Sequence, residues 1–205
     1  MRVLHILLNG GHGNDTPGKR WTFDGVTFYE YLSNRETADR VKKKLEAEGI
    51  ICHIITPELN DIPLKVRSQR VNQLCAKYGK ENCLLLEIHS NASVEHTASG
   101  ISLWTSKGKT ESDIYAEFFY ENGKTYHPTI RMMADLSDGD HDYEESFHMV
   151  KKTACAAVLV ETCFYDNKKD FDYLMSEEGR ENIANWYVAS IKKCIEYYNK
   201  KYNNV

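Results

Sequence analysis

The sequence predicts an α/β fold: a single domain with a mostly parallel twisted sheet of about five or six strands and helices on both faces. Two observations lead to this prediction. Short, almost continuous apolar runs alternate with longer segments of helical periodicity. Several runs end directly in histidine, glycine or glutamate, as expected where the carboxyl ends of strands carry a ligand site. The length of 205 residues suits one domain, for which we expect the bounds 1–205.

The first half of the chain contains three predicted strands. Residues 3–8 form an apolar run that ends at two glycines. A helical pattern follows, with apolar positions at Leu32, Val41 and Leu45 and a stop at Gly49. The second strand, residues 50–55, precedes a predicted helix over 64–78, and the third covers 83–88.

The second half contains two further strands and a long polar stretch. We expect a fourth strand at a sheet edge over 100–105 and a helix over 112–120. Residues 121–145 are polar and acidic, and a loop of that length is often functional or mobile, although a solvated insertion is an equal alternative. A fifth strand over 156–161 and an amphipathic helix over 176–202 complete the pattern.

Composition excludes several classes of protein. Hydrophobic residues make up 41% and charged residues 27%, as is typical of globular proteins, and a net charge of −4 argues against binding to nucleic acid. No apolar run is long enough for a membrane span, and the N-terminus lacks the features of a signal peptide, so we expect synthesis in the cytoplasm. The six cysteines form no CxxC pair and are interpreted as small buried side chains.

Three polar side chains follow strands whose ends should meet at one edge of the sheet. They are His12 after the first strand, His89 after the third and Glu161 after the fifth; Glu30, before the first helix, belongs to the same rim. Two histidines and a carboxylate are a common catalytic zinc set, in which a fourth position is left for water. Zinc lowers the pKa of such a water, and a second carboxylate can move its proton.

Each of these residues also has a simpler interpretation. His12 could be incidental to a glycine turn, and His89 could be a hydrogen-bonded histidine at a strand end. Glu30 could be a solvated carboxylate favoured by the helix dipole. Glu161 is harder to explain in this way, because a carboxylate at the end of a buried strand is rarely unpaired.

Further motifs accompany these residues, in a fixed order along nearly the whole chain. They are Gly11-His12-Gly13 with Pro17-Gly18, Glu30 with Asn34 and Ala38, Arg67 and Asn72, residues 88–92 around His89 and Asn91, Ser99-Gly100, and residues 158–162 with Phe164 and Asn167. Together they resemble the type-3 family of zinc-dependent N-acetylmuramoyl-L-alanine amidases, which includes bacterial cell-wall amidases and phage endolysins. Each motif alone is weak, but the set is specific.

The resemblance implies a catalytic amidase domain with zinc on His12, Glu30 and His89, and Glu161 as the catalytic carboxylate. The implied reaction is hydrolysis of the amide between the lactyl group of N-acetylmuramic acid and L-alanine. The expected partner is peptidoglycan or a muropeptide. We expect the protein to be a monomer that acts on the cell wall only if it is released or exported.

The sequence departs from the family pattern at three places. Asn9-Gly10 replaces the usual aspartate and proline, and Glu87 replaces a small residue two positions before His89. By strand alternation Glu87 faces the same side as His89, where it could orient the ligands or compete with them. Cys163 replaces a glycine after Glu161 and is retained as an alternative nucleophile, although no histidine base lies near it in the sequence.

Two other functions compete with the amidase. One is a zinc amidohydrolase or peptidase that acts on a soluble peptide or acyl-amino acid, and the other is a wall-binding module without catalysis, which does not need Glu161. Within the 121–145 stretch, Arg131, His127 and Tyr126 could contact substrate, so we expect this loop to form one wall of the groove.

Overall fold

In this computed structural model, which describes residues 1–204, the strands are β1 His5–Gly10, β2 Arg20–Phe23, β3 Val26–Tyr29, β4 Cys52–Ile54, β5 Cys83–Asn91, β6 Ile101–Thr105, β7 Tyr143–Glu144 and β8 Ala156–Phe164. Six of them form the central sheet, in the order β4-β1-β5-β8-β6-β7. All neighbouring strands run parallel except β6 and β8, which are antiparallel. A separate two-stranded hairpin pairs β2 with β3. The predicted fold class is therefore confirmed.

Six α-helices cover the two faces of the sheet. They are α1 Glu30–Ala47, α2 Leu64–Tyr78, α3 Glu111–Tyr126, α4 His148–Lys152, α5 Lys168–Met175 and α6 Glu177–Tyr202, and a short 3-10 helix, Lys80–Asn82, precedes β5. Side-chain caps begin three of the helices: Thr110 and Asp113 form a capping box on α3, Asn167 caps α5 and Ser176 caps α6.

Strand alternation divides the apolar side chains into two cores. On one face Ile6, Leu86 and Val160 pack with α1, α3, α5 and α6, including Trp186 of α6. On the other face Leu7, Leu85 and Leu159 pack with α2 and α4. Because the central strands are buried on both faces, they read as continuous apolar runs in the sequence.

The segment after β6 differs from the prediction. The helix predicted over 112–120 extends to Tyr126, so the first part of the expected 121–145 loop is helical. β6 is also not an edge strand, because Tyr143 and Glu144 return to pair with it as β7, and the ring of Tyr143 stacks on Trp104 at a centroid distance of 4.7 Å. A two-residue strand is too short to give a periodic signal in the sequence.

Two further features bear on the nature of the chain. All six cysteines are buried and free, as expected for small apolar side chains. In the part of the chain that the structure describes, no helix combines the length and the apolar character needed to cross a membrane.

Candidate metal centre

Three of the side chains selected from the sequence meet at the carboxyl ends of the central strands. Glu30 Oε1 lies 3.3 Å from His12 Nε2 and 3.1 Å from His89 Nδ1. One ligand-type atom from each of the three residues lies within 4.8 Å of the other two. Two imidazole nitrogens and a carboxylate at this separation form a donor set suited to a divalent metal.

The hairpin β2–β3 places Glu30 in this cluster. Its turn, Asp24-Gly25, has positive φ at both residues (51° and 79°), as a two-residue hairpin turn of this kind requires. The returning strand ends at Tyr29, and Glu30 opens α1 with its backbone N–H donating to the carbonyl of Lys19 at 3.1 Å. Glu30 is fully buried, so it is not a solvated carboxylate at a helix N-terminus.

The glycines around His12 make room for neighbouring groups. A Cβ on Gly11 would lie 2.0 Å from the His89 ring, and one on Gly13 would lie 2.0 Å from the backbone N of Asp61. His12 itself has φ of 62°, a conformation that is uncommon outside glycine. Glycine is therefore required at positions 11 and 13 because a side chain there would overlap the His89 ring or the backbone of Asp61. An unusual backbone conformation is not the reason at these two positions.

Two arginines that sequence analysis did not assign to the site hold this loop in place. Arg67 Nη1 donates to the carbonyl of Gly10 at 3.0 Å, and its Nη2 donates to that of His12 at 3.2 Å. Arg35 Nη2 also donates to the carbonyl of His12, at 2.8 Å. Because both guanidinium groups are buried and bind backbone oxygens, they fix the path of the chain that presents the His12 imidazole.

Glu161 lies beside the cluster because of the sheet register. In the β5–β8 pairing, His89 and Glu161 are directly opposite each other. The Oε2 atom of Glu161 is buried and has no hydrogen-bond partner. Burial, followed by the charge of Glu30, raises the pKa of Glu161 to about 7, although His89 acts in the opposite direction. A carboxyl group with a pKa near neutrality can both accept and return a proton.

The charges around His89 favour a cation. Burial alone would lower the pKa of His89, but its hydrogen bond with Glu30 and the nearby carboxylates of Glu87 and Glu161 outweigh burial and raise the pKa to about 10. Burial would raise the pKa of Glu30, yet its hydrogen bonds with His12 and His89 hold that pKa well below the usual range. Positive charge at this point is therefore stabilised by several carboxylates, as a bound metal ion requires.

Glu87 occupies a buried hydrogen-bonded position next to His89. Asn9 Nδ2 donates to both of its carboxylate oxygens, at 2.9 and 2.8 Å, and Thr56 Oγ1 donates to Asn9 Oδ1 at 2.7 Å. Glu87 Oε2 lies 3.8 Å from His89 Nε2, the ring nitrogen that faces away from Glu30. The two departures from the family pattern, Asn9 and Glu87, are therefore direct partners.

A cavity of about 600 Å³ opens over these residues. It is lined by His12, Lys19, Asp61, Ile62, Pro63, Leu64, Arg67, Glu87, His89, Phe147, His148, Met149, Leu159 and Glu161. Lys19 was not identified from the sequence; its Nζ lies 3.7 Å from Glu30 Oε2. A larger groove of about 930 Å³ runs along α1, but its lining contains none of His12, Glu30 and His89.

Other residues singled out in the sequence lie away from this cavity. Arg131 is exposed, and its carbonyl accepts from Ile101 N at 2.9 Å, beside the sheet. Asn91 ends β5, with its own side chain accepting from the backbone of Ala92. His127 is 2% exposed and packs in the main core, so the expectation that it contacts substrate is wrong. Cys163 is fully buried, and burial raises the pKa of its thiol.

The expected wall of the groove also comes from a different segment. No residue of 121–145 belongs to the cavity lining in the described structure, whereas Phe147, His148 and Met149, just beyond that stretch, do. The physical reason is that residues 130–133 lie beside β6, with Ile101 N donating to the carbonyl of Arg131 and Met133 N donating to the carbonyl of Ile101. The stretch is therefore held at the sheet edge, and only the residues that follow it reach the cavity.

Comparisons with known proteins agree with this architecture. A curated relative, N-acetylmuramoyl-L-alanine amidase LytC of Bacillus subtilis (strain 168), is 26% identical over 184 residues, which cover 87% of this chain. The match spans about a third of that relative's length (33%).

Solved structures show the same fold. An N-acetylmuramoyl-L-alanine amidase from Clostridium difficile 630 superimposes with a TM-score of 0.80 at 20% identity, over 96% of this chain and 98% of its own. The catalytic domain of the CD27L endolysin, described as targeting Clostridia difficile, gives 0.66 at 22% identity, over 93% and 97%.

The family comparison covers most of the chain. The sequence profile of Amidase_3, described as N-acetylmuramoyl-L-alanine amidase, matches residues 6–193, a span that includes β1 from its second residue, β5, β8 and every residue of the candidate metal centre. The chain therefore belongs to the Amidase_3 family of N-acetylmuramoyl-L-alanine amidases.

Proposed function

We propose that this chain hydrolyses the amide bond between N-acetylmuramic acid and L-alanine in peptidoglycan, with zinc bound by His12, Glu30 and His89. One observation carries the chemistry: the three donor side chains converge at the strand ends, and two of them, His12 and His89, line an open cavity together with Glu161, whose Oε2 has no hydrogen-bond partner. Family membership supports the substrate class, since the family is named for this reaction. The competing interpretation, action on soluble peptides, has no comparable support.

The residues present fit a zinc ion. Glu30 Oε2 is buried without a hydrogen-bond partner, and the imidazoles of His12 and His89 with the carboxylate of Glu30 supply the nitrogen and oxygen donors that zinc takes. Zinc held by these residues supplies a Lewis acid that polarises the scissile carbonyl and makes water more acidic. Three protein donors leave room for substrate and water at a catalytic site of this kind.

Glu161 is proposed to move the proton. Its carboxylate takes a proton from the water that attacks the carbonyl carbon, and returns that proton to the nitrogen as the C–N bond breaks. The products are a free lactyl carboxylate and an L-alanine amine. Burial raises the pKa of Glu161, which favours retention of the proton between the two steps.

Glu87 is proposed to position His89 rather than to react. It faces His89 Nε2, while Nδ1 faces Glu30, so the carboxylate favours the ring orientation in which Nδ1 is available as a ligand. Asn9 supports this role by holding both oxygens of Glu87 in place.

We propose no role in the reaction for Asn91 or Arg131, because neither residue lines the cavity. We also propose that the chain acts as a monomer, as expected from the sequence. We further propose that residues 1–205 make up one catalytic domain, since the family match and the central sheet span almost the same segment.

Digestion of purified cell walls tests the proposal. The zinc-loaded protein is expected to lower the turbidity of the walls and to release new L-alanine amino ends, and Glu161→Gln protein serves as the matched control. New amino ends on another amino acid would indicate a peptidase, and cleavage of soluble acyl-amino acids alone would support the other zinc amidohydrolase. Binding to walls without any new ends would leave only a wall-binding function. Light scattering of the same sample tests the monomer.

A further inference from the structure

A second set of metal-donor side chains lies on α3, away from the candidate metal centre. Glu117 and Glu121 are four residues apart on this helix, so their carboxylates share one face. His141, from the segment that follows the helix, lies against the same face. One ligand-type atom from each of the three residues lies within 4.8 Å of the other two, and we call this group the α3 cluster. None of its members lines the cavity beside the candidate metal centre.

The separations within the α3 cluster suit a metal ion. His141 Nδ1 lies 2.8 Å from Glu117 Oε2 and 3.0 Å from Glu117 Oε1. Ligand atoms around a tetrahedral zinc ion lie about 3.3 Å apart, because each of them is about 2.0–2.2 Å from the metal. A small outward rotation of the Glu117 side chain therefore makes room for an ion in place of the hydrogen that the two groups share.

The imidazole of His141 is already held in one orientation. Its ring stacks on the ring of Tyr120 at a centroid distance of 3.9 Å, with an angle of 14° between the two planes. Tyr120 is 8% exposed and packs in the main core, so the stack joins the imidazole to a rigid part of the molecule. A ligand whose conformation is fixed before binding loses little conformational entropy when the ion arrives.

The carboxylates of the α3 cluster outnumber the protein cations that face them. In the described residues Glu117 pairs with His141 and with no lysine or arginine. Lys124 Nζ lies 2.7 Å from Glu121 Oε1 and 4.4 Å from the centroid of the Tyr120 ring. One lysine therefore faces two carboxylates, and the negative charge that remains favours a divalent cation. Lys124 also competes with any ion for Glu121.

We propose that Glu117, Glu121 and His141 bind a second zinc ion. One imidazole nitrogen and two carboxylate oxygens form a donor set for zinc, whereas magnesium and calcium take oxygen ligands. The cluster is partly exposed and shares Glu121 with Lys124, while Glu30 of the candidate metal centre is fully buried. The second zinc therefore binds more weakly than the first, and it is lost when the protein is purified without added zinc.

The bound ion would fasten the segment after α3 to that helix. His141 lies two residues before β7, and its neighbour Asp142 accepts from Thr105 Oγ1 of β6 at 2.7 Å. The segment is thus tied to the sheet on one side and, through the ion, to α3 on the other. Added zinc should therefore slow the hydrogen exchange of backbone amides in residues 127–142.

Calorimetric titration with zinc at pH 7.5 tests the proposal on protein that already holds one zinc per chain. We expect about one further zinc per chain, and no uptake of magnesium or calcium at the same concentration. His141→Phe keeps an aromatic ring on Tyr120 and removes the donor, so it should weaken the second uptake at least about tenfold, as should Glu117→Gln. Glu145→Gln, at an exposed glutamate of the same segment, is the matched control and should behave as wild type.

Two more variants assign the second zinc to the α3 cluster. His89→Ala should lose the first zinc and keep the second, so the test does not depend on the amidase reaction. Lys124→Met removes an exposed ion pair and should tighten the second site by about two- to fivefold. Wild type that takes up no further zinc overturns the proposal. Equal uptake by wild type, His141→Phe and Glu117→Gln would show adventitious surface binding, and no tightening in Lys124→Met would overturn the assignment of Glu121.

Discussion

The side-chain amide of Asn9 donates to both carboxylate oxygens of Glu87, with neither residue more than 1% exposed. In the family pattern an aspartate and a small residue stand at these two positions. An aspartate at position 9 of this chain would face Glu87 with a second negative charge and no donor. The two departures therefore compensate each other: Asn9 makes it possible to bury Glu87 beside the metal ligands.

The first prediction tests this compensation. Asn9→Asp should lower the free energy of unfolding by about 3 kcal/mol, because it removes two buried hydrogen bonds and adds like charge. Asn9→Asp with Glu87→Gln should recover most of the loss, since the amide is then on the other residue. Urea denaturation of wild type, Asn9→Asp, Glu87→Gln and the double variant, with and without a zinc chelator, measures the coupling. If Asn9→Asp alone is as stable as wild type, the hydrogen bonds between Asn9 and Glu87 do not contribute to stability.

The second prediction concerns metal content. The purified protein should contain about one zinc per chain, removable by a chelator, because three donors converge at the candidate centre. His12→Ala and His89→Ala should each lower the occupancy, while His96→Ala, at an exposed histidine outside the cavity, should not. Elemental analysis gives the result, and full zinc content in both ligand variants would show that these histidines do not hold it.

The third prediction separates metal binding from proton transfer. Glu161→Gln preserves the shape of the side chain and removes the proton acceptor, a role worth roughly 10²–10⁴-fold in rate. The variant should therefore keep its fold and its zinc but lose most hydrolysis of cell walls. Circular dichroism, zinc analysis and the release of L-alanine ends are measured on the same preparation. Turnover near that of wild type would move the base elsewhere, with Glu87 as the next candidate.

The parts of the site carried by strand ends could be predicted from the sequence. His12, His89 and Glu161 follow apolar runs, and the carboxyl ends of parallel strands meet at one edge, so their proximity follows from topology. The hairpin that places Glu30 was missed, although Asp24-Gly25 is a strong hairpin signal. Arg35 and Arg67 act through hydrogen bonds to backbone carbonyls, and patterns in a sequence do not predict such hydrogen bonds.

A weaker signal did exist for Arg67. It precedes Val71 and Cys75 at intervals of four residues, and these are buried positions of α2, so the arginine lies on the buried face of the helix.

The prediction that a loop begins at residue 121 was wrong for a different reason. Polar residues continue α3 to Tyr126, and Gly123 is retained within the helix, where a Cβ would lie 2.4 Å from Met132 Sδ. The packing of Gly123 against Met132, and not the helix propensity of the local residues, therefore decides where α3 ends.

The fourth prediction concerns the alternative nucleophile. Cys163 is fully buried, and burial raises the pKa of its thiol, so it is held in the neutral form that does not attack carbonyls. Cys163→Ser should therefore keep the kcat/KM of wild type, with some loss of stability from the buried hydroxyl. Kinetic assays with soluble muropeptide measure the effect. Loss of activity with zinc retained would restore the cysteine mechanism.

The fifth prediction concerns pH. His127 is 2% exposed, its Nδ1 lies 2.8 Å from the hydroxyl of Tyr173, and burial lowers its pKa to about 4. In the unfolded chain the imidazole protonates near pH 6.5, so below this pH the unfolded state binds more protons than the folded state. The contribution of His127 to stability is therefore complete above pH 6.5 and is lost as the pH falls towards 4.

Replacement of this histidine by a side chain that does not titrate isolates the effect. Wild type should lose roughly 2–3 kcal/mol more than His127→Gln between pH 7.5 and pH 4.5, because only wild type must keep a buried imidazole neutral. The glutamine retains a hydrogen-bonding group towards Tyr173, so the comparison changes little else. Urea denaturation at both values of pH measures the difference, and an NMR titration of the His127 ring gives an independent check. Equal losses in the two proteins would mean that His127 is protonated in the core.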